Sequence, residues 1–292
     1  MPSLDDLKKR IKSVKSTQKI TKAMKMVAAA KLRKAQENAE KGRPYSQKMQ
    51  NIILNLTNSI NDPQNAPKLL IGTGDDKKYL CVVLTADRGL CGGFNSNICK
   101  LAKINFKKIL GEGKTLKIIT VGSKGLDQIK REYGKYVIKK FSFKEKKQIS
   151  FNEAKIVGDE IISLFNQNEF DKCILFYNNF KNVITQIPQA QQIIPAENNS
   201  SDKTDEKTHS YEFEPDEDEI LEDLLPKNIS TQIFKALLEN AASEQGSRMT
   251  AMDNATRNAG DLVEKLTINY NRSRQASITK ELIEIISGAE SL

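Results

Sequence analysis

The last 65 residues, 228–292, contain no proline and repeat their apolar residues at helical spacing. Met252, Ala255, Ala259, Leu262 and Leu266 fall three and four residues apart. Ile229, Ile233, Leu237 and Ala241 lead into that run, and Ile278, Leu282 and Ile285 continue it. Such spacing places a narrow apolar stripe on one face of a single long helix, the width of a coiled-coil seam. About 60 residues at ~1.5 Å rise make a rod of roughly 90 Å. A helix of that length cannot be buried in one compact domain, so it needs a partner of similar length. Gly288 is positioned to cap its C-terminal end.

The partner is expected at the opposite end of the chain. From residue 3 to about residue 57 the sequence reads as a second long helix. Leu4, Leu7, Ile11 and Val14 repeat at the same spacing, and Met24, Ala28, Leu32 and Ala35 continue it. Ser3 suits the N-cap, and Asp5 and Asp6 complement the helix dipole in the first turn. Gly42 and Pro44 weaken the helix and are expected to kink it.

Charge is unevenly distributed. Residues 1–50 hold 14 Lys and Arg against 4 acids, whereas residues 196–226 hold 2 against 12. A basic helix can meet nucleic acid, anionic lipid or acidic protein loops. Its first 44 residues contain no aromatic residue, which argues against stacking on single-stranded nucleic acid. No apolar run approaches 18 residues, so no membrane span is expected. The N-terminus has acids and a heptad where a secretory signal would have an apolar core, so it reads as mature structure. Cys81, Cys91, Cys99 and Cys173 have neither metal-ligand nor secreted-framework spacing and read as reduced, buried thiols.

Between the helices the pattern changes. Residues 62–76 are turn-rich. Strands are expected at 79–85 (YLCVVLT), 116–121 (LKIITV) and 172–177 (KCILFY), with a short edge strand at 136–141. Helices are expected at 95–110, 124–133 and 151–166. This alternation implies a small, mainly parallel sheet with helices on its faces. Residues 183–194 read as an antiparallel addition, because only NNFKN separates them from the preceding strand. Residues 197–210 (ENNSSDKTDEKTHS) have no core-forming residue and read as a mobile loop, with the sole histidine, His209, inside it. YEFEPD, 211–216, alternates like a short strand, and Pro226 is expected near the first turn of the last helix.

The tempting chemical motif is LTADRGLCGGFNSN, residues 84–97. A glycine-rich turn between strand and helix can cradle phosphate. This one fits neither G-x-G-x-x-G nor G-x-x-x-x-G-K-[ST], and Gly89, Gly92 and Gly93 read as turn formers. No nucleophile with a histidine base and no carboxylate pair stands out. The expectation is no catalytic residue, no metal and no cofactor. The open function classes are a nucleic-acid-binding basic coiled coil, a small α/β enzyme with helical arms, and a mechanical or structural subunit.

Three motifs carry a resemblance. The run from Ile268 to Leu292 resembles the C-terminal signature of γ subunits of F-type ATP synthases, I-T-x-E-x-x-E-x-x-x-G-A, met by Ile278, Thr279, Glu281, Glu284, Gly288 and Ala289. IKSVKSTQKITKAMKMVAAAKLRKAQ, 11–36, resembles that family's opening helix, and DRGLCGGFN, 87–95, its internal motif. The resemblance implies an α/β fold in which the N- and C-terminal segments form a long antiparallel two-helix coiled coil around an inserted Rossmann-like domain. The implied divisions are 1–60, 76–195, 196–225 and 226–292. It implies a central-stalk rotor without chemistry of its own. Such a rotor couples a proton-driven c ring to conformational cycling of catalytic β subunits.

The partners so implied are the α and β subunits, ε and δ, and the c ring. The implied location is the cytoplasmic face of a bacterial inner membrane, or the matrix side of the mitochondrial one. Matching positions carry roles over. Arg274 and Gln275 resemble a pair that hydrogen-bonds a loop of one β subunit. Met24, with Lys22 and Lys25, faces the acidic loop of β. Tyr211, Phe213 and Glu214 match foot positions that meet the c ring and ε. Ile278, Leu282, Ile285 and Ile286 lie in the tip that enters an apolar sleeve. The loop at 197–210 contains no cysteine, so no thiol switch is implied.

Overall fold

The computed structural model describes residues 3–59, 67–146, 149–195 and 217–290. The polar loop with His209, and Tyr211, Phe213 and Glu214, fall outside the described residues. The chain divides into two compact units, one of residues up to Ala30 with those from Arg248 onward, the other Lys31–Ser247. Two long helices contribute to both: α1, Leu4–Ser59, and α6, Glu217–Glu290.

In the first unit α1 starts as expected. Ser3 Oγ accepts the Asp6 N–H at 3.1 Å, and Asp5 and Asp6 occupy the first turn. The two helices run antiparallel, since Thr21 meets Thr256 and, further along α1, Lys25 meets the earlier Asp253. Leu7, Ala28, Met252 and Ala259 are buried in the seam. One expected seam residue is displaced: Leu262 is 46% exposed, and Val263 is half-buried in its place. Gly288 is no cap, because the helix runs through it to Glu290.

The second unit is a three-layer α/β/α domain. Its elements are α2 (Lys68–Ile71), β1 (Lys78–Leu84), α3 (Phe94–Gly111), β2 (Thr115–Val121), α4 (Ser123–Tyr133), β3 (Val137–Phe141), α5 (Phe151–Asn166), β4 (Lys172–Phe180) and β5 (Gln186–Ile194). The strand order is β3-β2-β1-β4-β5, parallel except for β5, which runs antiparallel to β4. Alternate β1 residues sort to opposite faces, as period-2 geometry requires. Leu80, Val82 and Leu84 meet α5 and α6, through Val157, Ile161, Ile229 and Ile233. Cys81 and Val83 meet α3 and α4, through Ile98, Phe106 and Ile129.

Three expectations need correction here. First, β4 extends past Tyr177 to Phe180, so the hairpin turn comes later than NNFKN; residues 178–180 find ladder partners in 186–188. Second, Pro226 lies well inside α6, not in its first turn. Leu221 and Leu225 are buried with Met49, Ile53 and Leu70, and that packing holds the acidic stretch before the proline helical. Third, α6 buries more than a narrow stripe here. Ala236, Leu237, Leu238 and Ala242 are all enclosed, because the helix is covered on several sides.

Two local features make testable demands. Gly158 on α5 stands so close to α6 that an added Cβ would lie 2.6 Å from Ser230 Oγ and 3.4 Å from Ser230 Cα. Gly158→Ala should destabilise the fold by about 1–3 kcal/mol, read in denaturant melts, because the buried Ser230 hydroxyl must leave its position against α5. The start of α5 is a capping box in which Ser150 donates its hydroxyl and N–H to Glu153. Those bonds, hydroxyl first, draw the Glu153 carboxyl down to about 2 from its usual 4.5. A carboxyl whose folded pKa is depressed stabilises fully above the unfolded value and loses that contribution as pH falls through the folded one. Glu153→Gln should therefore cost about 1–2 kcal/mol at neutral pH. The gap to wild type should narrow as pH falls from about 5 to about 2, followed by melts at each pH.

Candidate functional site

In a sheet of this order a ligand is expected where the order reverses, at the C-terminal ends of β1 and β4. The glycine-rich turn follows β1 there. Leu90 and Gly92 both take positive φ, 61° and 56°, and Leu90 is exposed. The turn is braced from below by Asp87. Its carboxylate accepts the Ser123 N–H at the start of α4 (2.9 Å), the Ser142 hydroxyl (2.8 Å) and the Phe143 N–H (3.0 Å). A helix N-terminus that would suit phosphate is thus already satisfied by an anion of the chain itself. Gly122, which opens α4, has φ 100°, and a Cβ there would sit 2.2 Å from the Thr85 carbonyl, so no other residue fits.

The crevice itself is crossed by α6. Asn240 Oδ1 accepts the Asn178 N–H at 3.2 Å, and Ser243 donates to the Asn178 carbonyl at 3.2 Å. Ser247 donates to the Cys91 carbonyl of the turn at 2.6 Å. Glu239, with a side chain 4% exposed, accepts the Phe180 N–H at 3.0 Å and pairs with Arg43 of α1 at 2.9 Å. A single helix therefore bonds backbone groups of both β4 and the β1–α3 turn, where a nucleotide would otherwise lie. Sequence reading missed these residues. Their signal is faint: Glu239, Ser243 and Ser247 recur every fourth residue, off the apolar stripe of Ile233, Leu237 and Ala241, and so pass for a solvated face.

Other possible chemistry is weak. All four thiols are buried, and none is in a disulfide. Burial pushes Cys99 up to about 11 and raises Cys81 and Cys173 as well, so these three are not ready nucleophiles. A cavity of about 170 Å³ opens among α1, α5 and α6, lined by Tyr45, Phe151, Phe234 and Leu238. Lys235 and Glu239 also line it, but the Glu239 carboxylate is already taken by Arg43 and the Phe180 N–H. Among the described residues no cluster of His, Cys, Asp or Glu is arranged for a metal, and no helix is long and apolar enough to cross a membrane.

The helix pair of the first unit presents the remaining candidates. Arg274 and Gln275 are exposed neighbours on α6, and among the described residues the Arg274 guanidinium has no partner. Met24 is half-buried and Lys22 exposed on α1. Lys25 is held by Asp253 at 2.5 Å. Beyond them Ile278, Leu282, Ile285 and Ile286 are 48–68% exposed, a run of large apolar side chains that the unit itself leaves uncovered.

These features define a class: an α/β sheet whose ligand edge is closed by one of two long paired helices, with an uncovered apolar helix end. The family model described as ATP synthase matches residues 3–292. The chain is 72% identical over 292 residues to an ATP synthase gamma chain of Pelagibacter ubique, covering all of both chains. It is 57% identical over 295 residues to one of Rhizobium leguminosarum, again over the whole of both. Among solved structures, a chain of the central stalk and c-ring of Tetrahymena thermophila mitochondrial ATP synthase matches at 28% identity. Its TM-score is 0.62, with 81% of this chain and 99% of that one covered. A chain of the Euglena gracilis enzyme shares the fold at 20% identity and TM-score 0.67, covering 99% and 94%. The chain belongs to the ATP synthase gamma-chain family. Nucleic-acid binding by the basic helix finds no support among these relatives.

Proposed function

We propose that the chain is the central-stalk rotor of an F-type ATP synthase, turning with a proton-driven c ring and driving catalytic β subunits through their binding states. Full-length identity to gamma chains carries this reading. The chain performs no nucleotide chemistry itself; the crossing of the crevice by α6 and the anion already at the start of α4 support that. Its differential contacts with the β subunits bias one conformational equilibrium after another, which is all a coupler requires. Arg274 and Gln275 bind a β loop, with Met24 and Lys22 facing its acidic partner surface. The apolar tip with Ile278, Leu282, Ile285 and Ile286 seats in a sleeve of the α/β ring, which would cover side chains otherwise in water. Tyr211, Phe213 and Glu214 face the c ring and ε. The segments 1–60 and 76–195 serve as shaft helix and sheet domain; the second shaft helix, expected at 226–292, already includes residues 217–225 of the segment 196–225 expected as loop and foot. The protein works at the cytoplasmic face of a bacterial inner membrane.

The test is affinity purification of the tagged chain from its native membrane. A ring of α and β subunits with ATPase activity should accompany it, and a chain that purifies alone would overturn the reading. Isothermal titration of the isolated chain with ATP should give no binding in the micromolar range. Stoichiometric binding there would contradict the absence of a nucleotide site.

A further inference from the structure

Within the helix pair of the first unit, two consecutive seam layers are polar on both sides, and the layer beside them sets a glutamine against a glycine. Gln18 faces Gly260, where a Cβ would lie 3.1 Å from Gln18 Nε2. Next, the Thr256 and Thr21 hydroxyls meet at 2.7 Å, with the Met252 carbonyl 2.7 Å from Thr256 and the Gln18 carbonyl 3.1 Å from Thr21 as further acceptors. Then Lys25 pairs with Asp253 at 2.5 Å, and Arg257 approaches the other Asp253 oxygen at 3.4 Å. Leucine at these layers would fit the heptad and bury more apolar area. An ion pair whose side chains are 42% and 35% exposed adds little to stability. What such layers do well is specify register, because an apolar seam accepts several alignments and a matched polar pair accepts one. In an α-helix a shift of one residue also turns every side chain by about 100°, so register decides which faces look outward.

We propose that Lys25–Asp253, supported by Thr21–Thr256, is a register pin that fixes α6 against α1 and so holds Arg274 and Gln275 at a set position relative to Lys22 and Met24. The functional consequence rests on the rotor reading above; the register itself does not. Lys25 then acts inside the pair, and its charge is not offered to a partner subunit.

The experiment uses the full chain with cysteines at Lys15 and Glu264, both exposed, carrying nitroxide labels; the native thiols are buried and stay unlabelled. Double electron–electron resonance should give one narrow distance in the otherwise wild-type chain. Lys25→Asp puts two carboxylates face to face and should broaden or split that distance. The milder Asp253→Asn should broaden it less. The exchanged variant, Lys25→Asp with Asp253→Lys, should restore the narrow distance. Reconstituted with its partner subunits, Lys25→Asp should lose ATP-driven proton pumping roughly 3- to 10-fold, and the exchanged variant should recover it. An unchanged distance distribution in Lys25→Asp would overturn the pin. An exchanged variant that regains the distance without regaining pumping would keep the pin but overturn its link to coupling, since that outcome assigns the Lys25 charge to a partner. A wild-type chain that fails to join the ring would defeat the rotor reading instead, while the distance measurements would still decide the pin.

Discussion

A complex carrying Arg274→Ala and Gln275→Ala together is expected to assemble normally and to turn over ATP roughly 10- to 100-fold more slowly than wild type, at ~1.36 kcal/mol per tenfold. Both side chains are exposed on α6, and among the described residues the guanidinium serves nothing within the chain. Arginine and glutamine form helix nearly as well as alanine, so the helix should persist. On the contact proposed above, the loss falls on bonds to a β subunit. The arginine bond is charge-assisted, and hydrogen bonds of that kind contribute about 1.5–3 kcal/mol. Because a rotor meets each β subunit in turn, losing a bond made in one rotational state raises the barrier between states more than it weakens assembly. The measurement is steady-state ATPase and proton pumping by the reconstituted complex. An assembled double variant with wild-type turnover would remove these residues from the coupling contact and leave the family assignment untouched.

Much of the fold was readable because its sheet is parallel and buried. Strands enclosed on both faces must be continuous apolar runs, and YLCVVLT, LKIITV and KCILFY are such runs, each bounded by polar turns. The observed strands at 78–84, 115–121 and 172–180 differ from expectation only at their ends. The two terminal helices were readable for a different reason: a heptad sustained over so many residues has no other use. Their errors are also physical. Leu262 and Val263 are adjacent and both apolar, so the sequence leaves two seam frames open. The partner helix selects the one through Thr256, Ala259 and Val263. Pro226 was placed by a local rule that tertiary packing at Leu221 and Leu225 overrides.

The candidate site was less legible. Glu239, Asn240, Ser243 and Ser247 read on their own as a solvated helix face. Nothing near them in sequence indicates that backbone groups of residues 91, 178 and 180 lie opposite. The Lys25–Asp253 pair joins residues 228 apart, and a lysine in a basic helix gives no hint of an internal partner. Polar contacts of this kind become visible only once the topology has brought their elements together. Apolar pattern alone does not encode them.

The largest expected loss of stability lies at Arg43. In the sheet-bearing unit its guanidinium reaches Glu239 through Nε at 3.0 Å and Nη2 at 2.9 Å, and the carboxylate also takes the Phe180 N–H. The two ends of the pair differ in exposure, 42% for Arg43 and 4% for Glu239. Removing arginine therefore leaves the carboxylate in the interior with one backbone donor, whereas removing glutamate lets arginine return to water. Breaking a buried pair typically costs about 3–5 kcal/mol, and the half-exposed arginine lowers that to about 2–4 kcal/mol for Arg43→Ala. At roughly 2–4 °C per kcal/mol, its melting temperature should fall by roughly 5–15 °C. A neutral pair, Arg43→Leu with Glu239→Gln, keeps an acceptor for Phe180 and leaves no charge stranded. It should melt above Arg43→Ala despite carrying one more substitution. Salt separates this pair from the exposed ones. Screening hardly reaches a carboxylate so enclosed, so the deficit of Arg43→Ala should persist in about 1 M salt, where surface pairs are screened within about 3 Å. If the double variant melted no higher than Arg43→Ala, the stranded charge would not be the cause, and lost packing of the arginine stem against Glu239 would have to explain the deficit.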